Sequence, residues 1–185
     1  MPILSLEPNL YPEFLLEESP WDAMERRWWV LYTRARQEKA ISRELFRFQI
    51  PFYLPLVQRT CIHRGRRIPS YAPLFSGYVF LYGTEDERVR SVTTNRISRV
   101  LAVDDPELLV HDLRQINQLI AANAPLTIES RLSPGCRVRV RQGPFAGIEG
   151  VVVMRRGHSR LLVSINFLQR GASVEIDDFL LEPID

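Results

Sequence analysis

The feature that most constrains this chain is a change of texture at Gly135. Downstream of it no stretch carries the 3.6-residue apolar period of a helix. Cys136–Arg141 (CRVRVR) alternates strictly, with Cys136, Val138 and Val140 expected inward and Arg137, Arg139 and Arg141 outward. The turn-like segments GPFAGIEG, RRGH and NFLQRG then separate VVVM, SRLLVSI, ASVEI and FLLEPI. Short strands at roughly ten-residue spacing, with no helix among them, predict a small closed barrel. Val138, Val140, Val151, Val152, Val153 and Val163 are β-branched and in strand register, which favours a permanent barrel over any helical alternative.

Upstream, strand and helix signals are mixed. Arg27–Thr33 (RWWVLYT) is rich in aromatic and β-branched residues and predicts a strand, with Thr33 placed to cap the helix that follows. In RARQEKAISRELFRFQ, Ile41, Leu45 and Phe48 fall on one helical face, and Arg36, Arg43 and Arg47 form a basic stripe on another. Pro51 ends that helix. Phe52–Thr60 predicts an edge strand interrupted by Pro55, and Cys61–Ser70 a basic hairpin tip. In PLFSGYVFLYG, Tyr78, Phe80 and Tyr82 alternate with Val79 and Leu81, so aromatics line one face of a strand and aliphatics the other. A short helix over Glu85–Thr93, a strand over Ile97–Val103 and a helix from Pro106, with Leu109, Leu113, Ile116 and Ile120 on one side, complete this half. The expected organisation is α+β: an acidic flexible extension over 1–25, an antiparallel sheet flanked by helices over 26–123, a linker over 124–133, and the barrel over 134–185.

Composition narrows the function classes. The chain has 185 residues, of which 45% are hydrophobic and 25% charged, as in soluble globular proteins. No apolar run approaches the roughly 20 residues of a spanning helix, and no secretion signal is evident, so the expected compartment is the cytoplasm, without membrane association. Cys61 and Cys136 are too few and too far apart for a disulfide framework or a Cys-rich zinc site. His63, His111 and His158 are scattered, and no nucleophile-elbow, Walker or dinucleotide motif occurs. A non-enzyme with no cofactor and no metal is expected. The net charge of +2 conceals an asymmetry: residues 1–25 hold six acids and no base, whereas residues 26–70 hold eleven bases against Glu38 and Glu44. Such a local surplus attracts polyanions.

Three segments carry a family resemblance. RWWVLYTRARQEKAISREL, PLFSGYVFLYG and SPGCRVRVRQGPFAGIEGVV stand in the order and separation found in the NusG family of transcription elongation factors. The first two resemble its N-terminal NGN domain, with Ser76 where a proline is usual, and the third resembles the start of its SH3-like KOW barrel. HRGRRIPSYAPLF and VSINFLQRGASVEID are closer to the specialised RfaH and UpxY-type antiterminators than to the housekeeping factor. The resemblance implies a monomeric antitermination factor, specific to particular operons, that binds RNA polymerase and suppresses pausing or termination. Tyr32, Leu74, Phe75, Tyr78 and Phe80 would then meet the clamp helices of the β′ subunit. Arg34, Arg36, Arg43, Arg64, Arg66 and Arg67 would meet the non-template DNA strand. Ile165, Phe167 and Leu168 would form a partner surface on the barrel, toward the small ribosomal subunit. Rho binding is not implied by the loop present here, and the threonine motif that reaches the β gate loop is unmatched near Arg88–Ser91.

On the residues alone, alternatives stay open. The aromatics are either a docking surface or the core of a sheet covered on both sides, with Phe75, beside Pro73 and Gly77, expected exposed. The arginines are either a nucleic-acid surface or a solvated face. Ile165, Phe167 and Leu168 either meet a partner or close the barrel. An RNA- or ribosome-associated protein acting through the barrel is the alternative function.

Overall fold

The computed structural model describes residues 8–17, 25–63, 66–129, 135–155, 158–176 and 180–184. The chain divides into two compact units, Met1–Pro106 and Glu107–Asp185. In chain order the first comprises β1 (Leu10–Tyr11), β2 (Arg27–Thr33), α1 (Glu38–Arg47), β3 (Phe52–Tyr53), β4 (Leu56–His63), β5 (Arg66–Pro73), β6 (Tyr78–Gly83), α2 (Glu85–Val92) and β7 (Ile97–Ala102). Five strands form an antiparallel sheet in the order β1-β3-β6-β2-β7, while β4 and β5 pair only with each other. Alternation along the strands sends Leu31, Phe52, Val79 and Leu81 to one face, where they share a core with Ile41 and Leu45 of α1.

Proline and capping chemistry set the breaks. Pro55 supplies no N–H for a ladder, and the strand expected over 52–60 divides there. Its first part, β3, stays in the main sheet, and its second leaves to build the β4–β5 hairpin. Helix α2 opens with a capping box. The Glu87 N–H donates to Thr84 Oγ1 at 3.3 Å, and the Thr84 N–H donates to Glu87 Oε2 at 2.8 Å.

The start of the chain departs from the expected flexible extension. Leu10 and Tyr11 pair with Tyr53 and Phe52, the Leu54 N–H donates to the Asn9 carbonyl at 2.6 Å, and Leu15 and Leu16 are only 3% and 4% exposed. Two large aliphatic side chains and an open edge at β3 give this segment apolar burial and backbone partners, which a reading of acidity and prolines overlooks.

The second unit comprises α3 (Pro106–Ala121), β8 (Thr127–Glu129), β9 (Cys136–Val140), β10 (Glu149–Arg155), β11 (His158–Ile165), a 3₁₀ turn at Asn166–Leu168, β12 (Arg170–Glu175) and β13 (Leu181–Pro183). Its six strands run β13-β9-β10-β11-β12-β8. Among the described residues no ladder joins β8 to β13, so the sheet is open rather than the closed barrel expected. Strand count and spacing do not encode closure, which needs pairing between the two three-residue edge strands. At Gly171 a Cβ would fall 2.6 Å from the Val163 carbonyl oxygen, so the β11–β12 crossing takes only glycine.

Two further expectations change here. Residues 127–129 of the expected linker are strand β8, held by β12. Helix α3, expected in the first domain, groups with the second unit, and Leu119 rather than Ile120 completes its buried face. Val138 and Val140 are buried as the alternation requires, but Cys136 is exposed at the start of β9.

Candidate binding surfaces

The register between β2 and β6 stacks one aromatic face. Trp28 lies opposite Tyr82, Val30 opposite Phe80 and Tyr32 opposite Tyr78. The Tyr32 and Tyr78 rings lie 5.2 Å apart, and the Trp28 and Tyr82 rings 5.3 Å. Exposure is uneven along this column. Phe80 and its neighbour Tyr53 are fully buried, whereas Tyr32 is 42% exposed and Tyr78 half-buried. Burial pushes the Tyr53 phenol far above its ordinary range, so it stays protonated. The face is therefore closed in its middle and open at the Tyr32–Tyr78 end.

Three expected surface residues are inside, two of them at the turn before β6 and the third, Phe80, within the strand. Leu74 and Phe75 are 0% and 1% exposed, against the expectation that Phe75 projects into solvent, and Phe80 is core. Gly77, at φ +87°, reverses the chain tightly enough that only Ser76 of the turn points outward. The turn is pinned from two sides: the Thr33 N–H donates to the Gly77 carbonyl at 2.8 Å, and the Gly77 N–H donates to Glu38 Oε1 at 2.7 Å. Glu38 is 8% exposed. In the sequence it stands only as one of two acids in a basic segment, because an acid in a first helical turn is ordinary. A Cβ at Gly77 would meet Tyr32 Cε2 at 3.1 Å, so this turn also sets the Tyr32 ring.

The arginines are arranged differently from a single helical stripe. Helix α1 begins at Glu38, not after Thr33, and its N-cap, Gln37, makes no side-chain cap. Thr33 is instead buried in β2, its hydroxyl without a hydrogen-bond partner among the described residues. A turn over residues 34–37 carries the chain from sheet to helix, with Arg36 at φ +60°. It is tied to the start of β7: the Arg34 N–H donates to the Arg96 carbonyl at 2.8 Å, Arg34 Nη2 donates to Asn95 Oδ1 at 2.7 Å, and Arg96 Nη1 donates to Gln37 Oε1 at 2.6 Å. Arg34 and Arg36 are thus exposed on a loop that follows Tyr32 directly, and Arg43 is exposed on α1. Arg66 and Arg67 open β5, opposite His63 and Ile62. Their side chains, and Arg64 altogether, lie outside the described residues.

A second cluster was not singled out from the sequence. Just past the end of α1 the Phe48 ring is approached by two guanidinium groups, Arg90 at 4.1 Å and Arg47 at 5.5 Å from its centre, and Phe46, next to Arg47 in sequence, is 45% exposed. Arg88 covers Trp29 at 5.3 Å. The signal was the interleaving of FRFQ, where Phe48 belongs to the expected apolar face and Arg47 to the basic stripe but Phe46 to neither.

In the second unit Ile165 is fully buried, so it closes the core and offers no surface; Phe167 and Leu168 remain half-buried on the 3₁₀ turn. That turn is tied to α3. The backbone N–H of Asn166 and its Nδ2 donate to Asp112 Oδ2 at 2.9 and 3.2 Å. The Glu149 N–H donates to Gln115 Oε1 at 2.5 Å, and Gln118 Nε2 donates to the Ala146 carbonyl at 3.1 Å. Burial raises the Asp112 carboxyl above the usual range, against the lowering effect of the Asn166 donors and of His111. Among the described residues no cluster of three or more His, Cys, Asp or Glu could hold a metal ion, and no helix is long and apolar enough to cross a membrane.

Residues 26–131, more than half of the chain, match the family described as "NusG: Transcription termination factor nusG". The chain belongs to the NusG family. Members are transcription elongation factors that bind RNA polymerase and carry out no catalysis. Among solved structures, one described as "Crystal Structure of MjSpt4:Spt5 complex conformation B" is similar over 85% of this chain and 97% of its own, at 14% identity and a TM-score of 0.28. No curated protein matches.

Proposed function

We propose that this chain is a specialised antitermination factor of the RfaH and UpxY type. In this reading the first unit holds elongating RNA polymerase through Tyr32 and Tyr78, which meet the β′ clamp helices, with Leu74, Phe75 and Phe80 as the packed floor beneath. Arg34, Arg36 and Arg43, with the hairpin arginines, rest on the non-template strand. The second unit is a KOW-type module whose Phe167 and Leu168 face a further partner. One observation carries the reading: the aromatic face opens at Tyr32 near the end of β2, and two exposed arginines stand in the turn that follows the strand. A large, rigid aromatic suits a protein hot spot, and a guanidinium suits phosphate, so one end of the sheet offers both kinds of contact. Binding suppresses pausing only by the difference in affinity for the elongating and paused states, and no bond is made or broken.

Retention of core polymerase and elongation across a pause site test this. Tyr32→Ala should weaken polymerase binding by about 2 kcal/mol while the fold persists. Replacing Arg34, Arg36 and Arg43 by Gln should leave retention largely intact, and flatten the salt dependence of DNA binding by roughly two to three units of slope. Unchanged retention for Tyr32→Ala excludes the aromatic contact, and an unchanged slope excludes the arginine contact.

A further inference from the structure

The acidic start of the chain is built onto the basic unit. Strand β1 is held at the sheet edge by the Leu10–Tyr53 and Tyr11–Phe52 pairs, and the Leu15 N–H donates to the Pro12 carbonyl and the Glu17 N–H to the Phe14 carbonyl, each at 2.9 Å. Leu15 and Leu16 anchor this turn by burial. The Tyr11 ring meets the Phe46 ring edge-on at 5.1 Å. Phe46 is the immediate neighbour of Arg47 and lies one turn beyond Arg43, so the arm runs beside the basic end of α1. Two residues past Tyr11 the arm carries Glu13, and six past it Glu17, both exposed and in no ion pair among the described residues. In sequence, the first 25 residues hold six acids and no base, and residues 26–70 hold eleven bases.

From this placement we infer that residues 8–17 are an electrostatic strap that lowers the affinity of the α1 arginines for single-stranded nucleic acid. The inference rests on the proposed nucleic-acid contact and adds a regulator to it. The strap needs no contact with the arginines. Carboxylates held within about a Debye length, ~10 Å at 0.1 M salt, reduce the local positive potential that a phosphate backbone would meet. Apolar anchors hold the strap while exposed carboxylates do the screening, so charge can be removed without disturbing the fold.

The test uses the full chain and a fluorescein-labelled oligothymidylate. Glu13→Gln with Glu17→Gln should bind it roughly two- to fourfold more tightly than wild type at 20 mM salt, and equally at 500 mM. The control pair Asp104→Asn with Glu107→Gln removes the same charge outside the arm and should change affinity less than the arm pair. Equal wild-type and arm-variant affinities at low salt, with wild-type binding still salt-dependent, would overturn the strap and leave the nucleic-acid reading standing. So would an equal gain in the control pair, which would reduce the effect to net charge. No oligonucleotide binding by any of the three proteins would overturn both. Thermal melts that coincide for the three would show that the affinities compare one fold.

Discussion

Truncating Phe75, which is 1% exposed, removes a ring that its surroundings cannot replace. Phe75→Ala should therefore lower stability by about 3–5 kcal/mol in urea unfolding. Tyr32, 42% exposed, should lose less than about 1 kcal/mol of stability on the same change. The pair separates floor from surface: if Phe75→Ala unfolds at the wild-type urea midpoint, Phe75 is not part of the core. Phe75, just before the Gly77 turn, and Tyr32, whose ring packs against that turn, thus carry different burdens, and the cause is the left-handed Gly77 with its Glu38 anchor. That cause was only half legible. Gly77 marks a turn in any sequence, but the alternation rule says which residues share a face of β6 and nothing about residues just before the strand. Phe75 accordingly seemed exposed.

At the level of elements, periodicity located β2, β6, β7, α1, α2 and the strands after Gly135 to within a few residues. It did so best where an element buries one regular face, as β2, β6 and α1 do; α2 buries only Ser91 and β7 only Ile97. What it missed were partnerships: where Pro55 sends the chain, that the proline-rich start pairs through Leu10–Tyr11 and buries Leu15 and Leu16, and that α3 is fastened to the 3₁₀ turn by Asp112. These depend on residues far apart in sequence. The Asp112 tie gives a pH dependence with a definite sign. Its folded carboxyl titrates above the ordinary aspartate range, so the folded state favours the proton. The stabilisation is complete below the ordinary aspartate pKa and is lost as pH rises through the raised value. The urea midpoint should fall as pH climbs through that window, and Asp112→Asn, which keeps an acceptor for Asn166, should flatten the fall. A wild-type midpoint that rises there would show that the donors, rather than burial, dominate the site.

For the whole molecule, the question is which unit helix α3 serves. The family match runs without a break through it to residue 131, whereas compactness assigns it to Glu107–Asp185. Leu109, Leu113, Ile116 and Leu119 are all at most 1% exposed, and Asp112, Gln115 and Gln118 at successive three-residue steps reach Asn166, Glu149 and Ala146. Each polar tie satisfies a backbone group that would otherwise need water, worth about 0.5–1.5 kcal/mol apiece. A fragment of residues 107–185 keeps all three ties, and a fragment of residues 124–185 keeps none. The longer fragment should unfold cooperatively at a urea midpoint clearly above that of the shorter, with amides of Glu149 and Asn166 protected from hydrogen exchange only in the longer one. Equal midpoints and equal exchange would return α3 to the first unit, leaving the second as strands alone.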